Sequence, residues 1–169
     1  MKTYEHNQEV LIAAEPVVTV TRVDVDQLRV RALQNVRRRM RLCAHPAIDS
    51  KVHEMLIVHA RDTYVRPHKH LGKSESFHIV EGTANVLLFS DSGAVQRVIS
   101  MGDYASGRVF YYRLAEPLYH SLIITSDVIV FHEVTSGPFK RDETVFAPWA
   151  PDESDPAAVQ KFIERLKKG

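Results

Sequence analysis

The sequence predicts an all-β fold, an antiparallel jelly roll or small barrel with one α-helix before it and one after it. Short apolar runs separated by turn residues fill the middle of the chain, with no helical pattern among them. Many short strands at such spacing are typical of a sandwich or barrel. A helix-capping pattern precedes these runs, and a second helix start follows them. Among the β architectures, we expect the jelly roll.

The first predicted helix covers about residues 24–35. Asp24 followed by Gln27 resembles a capping box, which marks a helix N-terminus. Before it, residues 17–20 form a short segment rich in β-branched residues. Apolar residues then recur at helical spacing, which predicts one buried face. They are Val25, Leu28, Ala32, Leu33 and Val36.

The predicted strands follow from residue 52 onward. Turn residues such as Gly82, Gly93 and Gly102 separate them, as is usual between strands. The apolar runs are residues 55–58, 77–80, 86–89, 95–99, 121–125 and 128–134.

The last predicted helix starts with Asp155 as N-cap and Pro156 as its first residue, positions that both residue types favour. Val159, Phe162 and Leu166 lie on one apolar stripe. We therefore expect this helix to pack on the outside of the barrel.

Composition indicates a single domain. A chain of 169 residues that is 44% hydrophobic can bury its own core. We expect an N-terminal strand and helix extension over residues 1–50, the barrel over 51–138, and a C-terminal segment and helix over 139–169. The 22 Lys and Arg nearly balance the 21 Asp and Glu, so no overall field favours nucleic acid or membrane.

The expected location is cytoplasmic. The one cysteine cannot form an intramolecular disulfide. No signal peptide is recognisable, and no run approaches the roughly 20 apolar residues of a membrane-spanning helix.

A candidate metal site begins at His68 and His70. Residues two apart on a strand project from the same face, so the two imidazoles lie side by side. After a turn through Gly72, Glu75 starts a second run, predicted to return antiparallel and bring its carboxylate to the imidazoles across the strand pair. His120, far along the chain but at the start of another strand, is the best candidate for a further ligand. Histidine with carboxylate suits Zn, Fe, Mn, Ni or Cu better than Ca or Mg.

These residues resemble the cupins, whose first motif reads His-x-His, four residues, Glu, six residues, Gly. His68, His70, Glu75 and Gly82 match it at every spacing. The resemblance implies a double-stranded β-helix jelly roll holding one divalent metal ion (Fe, Zn, Mn or Ni) through three His and one Glu, with His120 as the third His. The turn before His120 is shorter than the family pattern. Cupins are commonly dimers, so we expect a homodimer.

A closer resemblance is to the WbuC-type cupin metalloproteins. It covers most of the chain, through residues 37–39 with His45, residues 63–70, residues 133–139 and residues 147–151. The family name implies a link with surface-polysaccharide metabolism. The resemblance implies a metal site, but it does not imply a particular reaction.

Other residues are expected around the metal. Tyr64 and Arg66 share the strand parity of His68, so they should line the same cavity. Arg66 then either pairs with Glu133 or binds a carboxylate, phosphate or sulfate of a substrate. Phe77 shares the parity of Glu75 and would add an apolar wall.

The arginine run from Arg37 to Arg41 has two main interpretations. It is a solvated face, or one or two members such as Arg37 and Arg39 turn inward to hold an anion. Nucleic-acid binding is less favoured because no aromatic residues interleave the run.

Most of the remaining histidines are not expected in the site, and His45, after the arginine run, and His132, beside Glu133, are better candidates than the others. His78 should face outward, and His53 and His59 have no visible partner. Only one of His132 and Glu133 can face inward, and the family resemblance favours Glu133.

The leading hypothesis is a metal-dependent cupin that acts on or binds a small polar molecule, anionic or sugar-derived. Arg66, Tyr64, Phe77, Glu133, Arg37 and Arg39 are its candidate substrate-binding residues, while no catalytic residue is assigned and enzymatic activity stays open. One alternative is a non-catalytic binding or sensing module. Another is a non-haem iron oxygenase. A metal-free sugar-nucleotide epimerase is disfavoured because the ligand set favours a bound ion.

Overall fold

The computed structural model describes residues 1–168, so Gly169, the last residue of the predicted C-terminal segment, lies outside it. Twelve strands and two α-helices are found in the described chain. The elements are β1 (Thr3–Asn7), β2 (Val10–Ala13), α1 (Arg22–Gln34), β3 (Arg39–Cys43), β4 (Val52–Ala60), β5 (His68–His70), β6 (Glu75–Glu81), β7 (Thr83–Phe89), β8 (Val95–Gly102), β9 (Tyr111–Leu114), β10 (Tyr119–Ile124), β11 (Val128–Ser136), β12 (Thr144–Phe146) and α2 (Pro156–Lys168).

The strands form two sheets. The seven-stranded sheet has the order β1-β2-β3-β4-β11-β6-β9, and the five-stranded sheet has the order β12-β5-β10-β7-β8. Neighbouring strands are antiparallel except β2 and β3. The mainly β prediction is confirmed. Within residues 1–168 no strand pair joins the two sheets, so the structure shows two sheets rather than a closed barrel.

The main core lies between the sheets. Ile57, Phe77 and Phe131 of the seven-stranded sheet pack in one buried cluster with Val86 and Leu122 of the five-stranded sheet. Alternate residues of each strand supply these side chains, as expected where one face of a sheet is buried.

Helix α1 packs on the outer face of the seven-stranded sheet. Leu28 and Ala32 are buried against this sheet in a second cluster. The helix starts earlier than predicted because Thr21, not Asp24, is the N-cap; Asp24 is the third helical residue and completes the capping box. Val36 lies beyond the helix end and is 96% exposed, so its predicted place on the buried face is wrong.

Helix α2 packs on the outer face of the five-stranded sheet, as predicted. Its Phe162 shares a buried cluster with Leu87 and Phe89. The predicted N-cap is confirmed, since Asp155 Oδ1 accepts a hydrogen bond from the backbone N–H of Ala158 at 3.0 Å. Throughout residues 1–168, no helix combines the length and apolarity needed to cross a membrane.

Five strands were not predicted, namely β1, β2, β3, β9 and β12, whereas residues 17–20 form no strand. Strand β3 matters most because it contains part of the arginine run. Its Met40 and Leu42 pack toward α1, so Arg39 and Arg41, which alternate with them along the strand, face the opposite side of the sheet. That side is the space between the sheets.

Gly82 and Gly72 offer a matched test of the fold. Both have positive φ, 85° and 67°, but a Cβ on Gly82 would overlap the carbonyl oxygen of Val128 while one on Gly72 would meet open space. We expect Gly72→Ala to cost about 1 kcal/mol of unfolding free energy through its left-handed backbone. Gly82→Ala should cost about 2 kcal/mol more because the strands must move apart. Urea unfolding measures both, and equal losses would contradict the packing described here.

Candidate metal centre

Strands β5 and β10 bring three imidazoles together. His68 of β5 pairs directly with His120 of β10, and their ring centroids lie 4.5 Å apart. His70, two residues along β5, has its ring centroid 4.9 Å from that of His68. One ring nitrogen from each histidine lies within 4.8 Å of the others, an arrangement that could hold a metal ion.

Glu75 reaches the imidazoles from the opposite sheet. Its Oε1 lies 2.9 Å from His120 Nε2, and its Oε2 lies 3.2 Å from His70 Nε2. The predicted route was wrong, because β6 does not return beside β5. The strands belong to different sheets, and the carboxylate crosses the space between them.

The far nitrogen of each imidazole is held by a hydrogen-bond partner. His68 Nδ1 lies 2.8 Å from the carbonyl oxygen of Arg66, and His120 Nδ1 lies 2.9 Å from that of Leu118. A carbonyl can only accept, so both Nδ1 atoms carry a proton, and in the neutral form of each ring Nε2 presents a lone pair. His70 Nδ1 is 3.2 Å from Thr144 Oγ1. This outer hydrogen bonding is typical of metal-binding histidines.

The cluster contains two opposed acceptors. His120 Nε2 and Glu75 Oε1 are both buried, and neither makes a well-directed hydrogen bond within the described chain. With the proton on Nδ1, the 2.9 Å contact sets one lone pair against another. Such a contact is favourable only if a cation lies at the cluster, either a proton on His120 or a metal ion. The donor set fits a divalent transition metal.

The electrostatics keep His68 and Glu75 in the form that can bind a metal, whereas the Glu75 carboxylate favours a proton on His120 when no metal is bound. Burial, followed by the neighbouring His120, lowers the pKa of His68 to about 3, so this imidazole is neutral. Burial would raise the pKa of Glu75, but the imidazoles of His120 and His70 hold it below its ordinary value. Burial would also lower the pKa of His120, and the Glu75 carboxylate reverses this and raises it.

A cavity of about 240 Å³ opens beside the cluster, between the two sheets. Its walls combine the candidate metal cluster (His68, His70, Glu75 and His120), apolar side chains and a second set of polar groups. The lining residues are Arg39, Arg41, His53, Met55, Ile57, His59, Val65, His68, His70, Lys73, Glu75, Phe77, His120, Ser121, Leu122, Phe131, Glu133, Thr135, Ser136, Phe139 and Thr144.

The strand register shows which residues follow one another along one wall of this cavity. Glu75 lies opposite Thr135, and Phe77 lies opposite Glu133. Two residues further along the strands, Ile57 lies opposite both Phe131 and Arg41, and beyond them His59 lies opposite Arg39. The Glu75 carboxylate is therefore at one end of the wall, and the arginines are toward the other.

Arg66 and Tyr64 lie outside this cavity, contrary to prediction. The Arg66 guanidinium pairs with Asp152, and the Tyr64 hydroxyl donates to the carbonyl oxygen of Pro151 at 3.0 Å. Strand β5 begins only at His68, so the two-residue alternation does not extend back to them. Nor does Arg66 pair with Glu133.

The arginine run divides between the two interpretations. Arg37 lies outside the cavity and forms ion pairs with Glu9 and Glu153. Arg39 lines the cavity, but its Nε is 2.9 Å from the carboxylate of Glu9. Arg41 also lines the cavity and was not among the predicted binding residues.

The other predicted wall residues lie where expected. Phe77 and Glu133 line the cavity, His132 does not, and His78 is exposed. His53 and His59 were not expected in the site, but both line the cavity. They alternate along β4 with the same spacing as Met55 and Ile57, so a prediction that this face of β4 points inward would have included them.

Sequence comparisons give one family match. Residues 20–101, just under half of the chain, match a domain of unknown function (DUF6016). The matched segment contains His68, His70 and Glu75 and ends before His120. A search of curated proteins finds no match.

Comparison with solved structures shows a cupin-like fold. The protein SO0799 from Shewanella oneidensis aligns with 67% of this chain and 76% of its own, at 13% identity and a TM-score of 0.53. Oxalate decarboxylase from Bacillus subtilis aligns at 15% identity and a TM-score of 0.48, and procruciferin, an 11S globulin from Brassica napus, at 11% and 0.43. The chain spans only about a quarter of these last two proteins. At such identities the likeness concerns the fold alone.

Glu133 gives a test of the cavity's electrostatics in metal-free protein. Burial, then the charge of Glu75, raises the pKa of Glu133 to about 7 from 4.5. A raised folded-state pKa means that stability is lost as pH rises from about 4.5 through 7. We expect Glu133→Gln to remove this loss, so the variant should be more stable than the parent by roughly 2–3 kcal/mol at pH 8 and equal to it at pH 4.

The control for that comparison is Glu116→Gln, at an exposed loop position. It should follow the parent's pH dependence in chemical unfolding. A stability difference for Glu133→Gln that does not change with pH would contradict the raised pKa.

Proposed function

We propose that this chain is a metal-binding cupin that holds one divalent transition-metal ion through His68, His70, Glu75 and His120. The observation that carries the proposal is the contact between His120 Nε2 and Glu75 Oε1, two buried acceptors 2.9 Å apart. A metal ion at this point would satisfy both atoms and the two remaining imidazoles. Iron, zinc, manganese or nickel fits such a ligand set.

The bound molecule we propose is small, polar and anionic. The cavity beside the metal cluster has room for a small metabolite, about 240 Å³. Arg39 and Arg41 supply positive charge to it, and Phe77 supplies an apolar wall. A sugar-derived ligand and a place in surface-polysaccharide metabolism are the part of the proposal that rests on the WbuC-type resemblance.

The chain's own groups suggest how such a site would work. The bound ion would supply Lewis-acid chemistry or, if it is iron, redox chemistry with oxygen. The hydrogen bonds on Nδ1 of His68 and His120 fix both rings, so the ligand geometry exists before any molecule enters. In metal-free protein, burial and the charge of Glu75 raise the pKa of Glu133 to about 7, so this carboxyl can hold a proton at the cavity wall near neutral pH.

A second candidate is a non-catalytic binding or sensing module. The observation that favours it is that four side chains converge on one point with hydrogen bonds that fix the imidazoles, because structural metal sites are coordinatively closed. Exchangeable water on the bound ion, measured by relaxation of solvent protons with a paramagnetic metal, would favour the catalytic form.

For both candidate functions, the partner that we propose is a second copy of the chain. Light scattering in solution tests this dimer.

Metal content tests the main proposal. We expect protein purified without a nickel column to contain about one equivalent of a transition metal by mass spectrometry. His68→Ala and His120→Ala should each lose most of it, because each removes a ligand from a preorganised set. His78→Ala is the matched control, since His78 is exposed on β6, and it should keep the metal.

Thermal unfolding gives a second reading of the same experiment. Chelation should lower the Tm of the parent and of His78→Ala, and it should leave the Tm of His68→Ala unchanged. The proposal would be overturned by metal that is far below one equivalent in the parent, or that survives in both ligand variants.

A further inference from the structure

We propose that Arg41 forms an oxyanion-binding subsite in this cavity, with His59 further along the same wall on the side away from the metal cluster. The subsite would hold a carboxylate or phosphate group of a small molecule whose other end reaches the metal. The inference rests on the proposed function in treating this cavity as the ligand site. Four observations support it.

The first is where Arg41 points. Its backbone lies opposite Ile57 on β4, but its Nη1 lies 3.7 Å from Met55 Sδ. Met55 pairs with Glu133, which pairs with Phe77, two residues along β6 from Glu75. Two residues of strand span about 6.6 Å. The guanidinium therefore extends along the strand direction toward the row of residues that contains Glu75 and ends about one such step short of that row. It lies against β4, two strands away from β6 across the sheet.

The second is that Arg41 has no carboxylate partner. Within residues 1–168, no ion pair of 4.0 Å or less involves it, whereas Arg39 on the same face of β3 pairs with Glu9. The neighbouring Glu133 carboxylate is not within that distance either. A half-buried guanidinium is costly unless an anion meets it. Its planar fork matches a carboxylate or phosphate.

The third is the orphaned nitrogen of His59. This side chain is only 8% exposed, and its Nδ1 is buried without a hydrogen-bond partner in the described chain. The ring packs edge-on to Phe131 at 5.4 Å, which fixes its orientation. A buried polar atom costs free energy unless a partner satisfies it. A ligand oxygen in the cavity would be such a partner.

The fourth is the size and polarity of the space. A cavity of about 240 Å³ lies below the range of drug-sized pockets. It has a cation-binding cluster toward one end, unpaired cationic and polar side chains toward the other, and Phe77 and Phe131 between them. A small acid with a second oxygen donor matches both ends, while a neutral apolar molecule would leave Arg41 and His59 unpaired.

The test is a titration with inorganic phosphate and, separately, with malonate, followed by amide chemical shifts in NMR. Both metal-free and zinc-loaded protein are titrated. We expect Arg41→Gln to weaken binding of the preferred anion by about tenfold or more, the usual effect of losing a charge-assisted hydrogen bond. Arg41→Lys should bind with intermediate affinity, because it keeps the charge without the fork. His59→Phe should weaken binding by a few fold.

The matched control is Arg113→Gln. Arg113 is exposed on β9, between the buried Tyr112 and Leu114, and its loss should leave anion affinity unchanged. Metal content and Tm are measured for every variant, so that a folding defect in Arg41→Gln is recognised and Arg41→Lys then decides the question.

The outcomes separate the two proposals. Anion binding that depends on Arg41 in metal-free protein supports the subsite even if no metal is found, in which case the proposed function fails alone. Equal anion affinity of Arg41→Gln and the parent, or no binding of either probe to the parent, overturns the subsite and leaves the metal site standing. Preference for phosphate or for malonate identifies which oxyanion the subsite accepts.

Discussion

The buried carboxylate of Glu75 is the constraint on which the centre of the molecule depends. Its side chain is 4% exposed and faces two imidazole nitrogens at 2.9 and 3.2 Å. A carboxylate taken out of water costs several kcal/mol unless positive charge compensates it. The histidines come from the five-stranded sheet and Glu75 comes from the seven-stranded sheet. Whichever cation compensates Glu75 therefore also joins the two sheets at this point.

The helices on the outer faces help to set what the inner faces present. On the seven-stranded sheet, α1 buries Met40 and Leu42, which fixes the register of β3 against the rest of the sheet. Because strand residues alternate between faces, this packing sends Arg39 and Arg41 into the space between the sheets. On the other side, α2 covers the outer residues of β7 and β10, and His120 of β10 is left facing inward. Apolar packing on the outer faces of the sheets thus leaves polar side chains on the inner faces.

Local patterns in the sequence predict the fold class and the ligand cluster, but not how the cluster is assembled. His68 and His70 are adjacent on one strand face, so their spacing alone shows that they belong together. His120 joins them through the pairing of β5 with β10, which no local pattern contains. The prediction for Arg66 was wrong because β5 has only three residues and begins at His68, so the strand alternation of side chains does not include Arg66. His59 and Arg41 were missed for a related reason, since the inward face of β4 and β3 is set by α1.

Charge shows why an anion would complete this site. A divalent ion at the cluster would bring two positive charges, of which Glu75 balances one. Arg39 is already balanced by Glu9, whereas Arg41 adds a positive charge with no carboxylate within 4.0 Å in residues 1–168. Glu133 on the cavity wall can balance at most one more positive charge. The cavity would then carry excess positive charge in surroundings of low polarity, where such charge is costly. A small anion that contacts both the ion and Arg41 would remove that excess with one molecule.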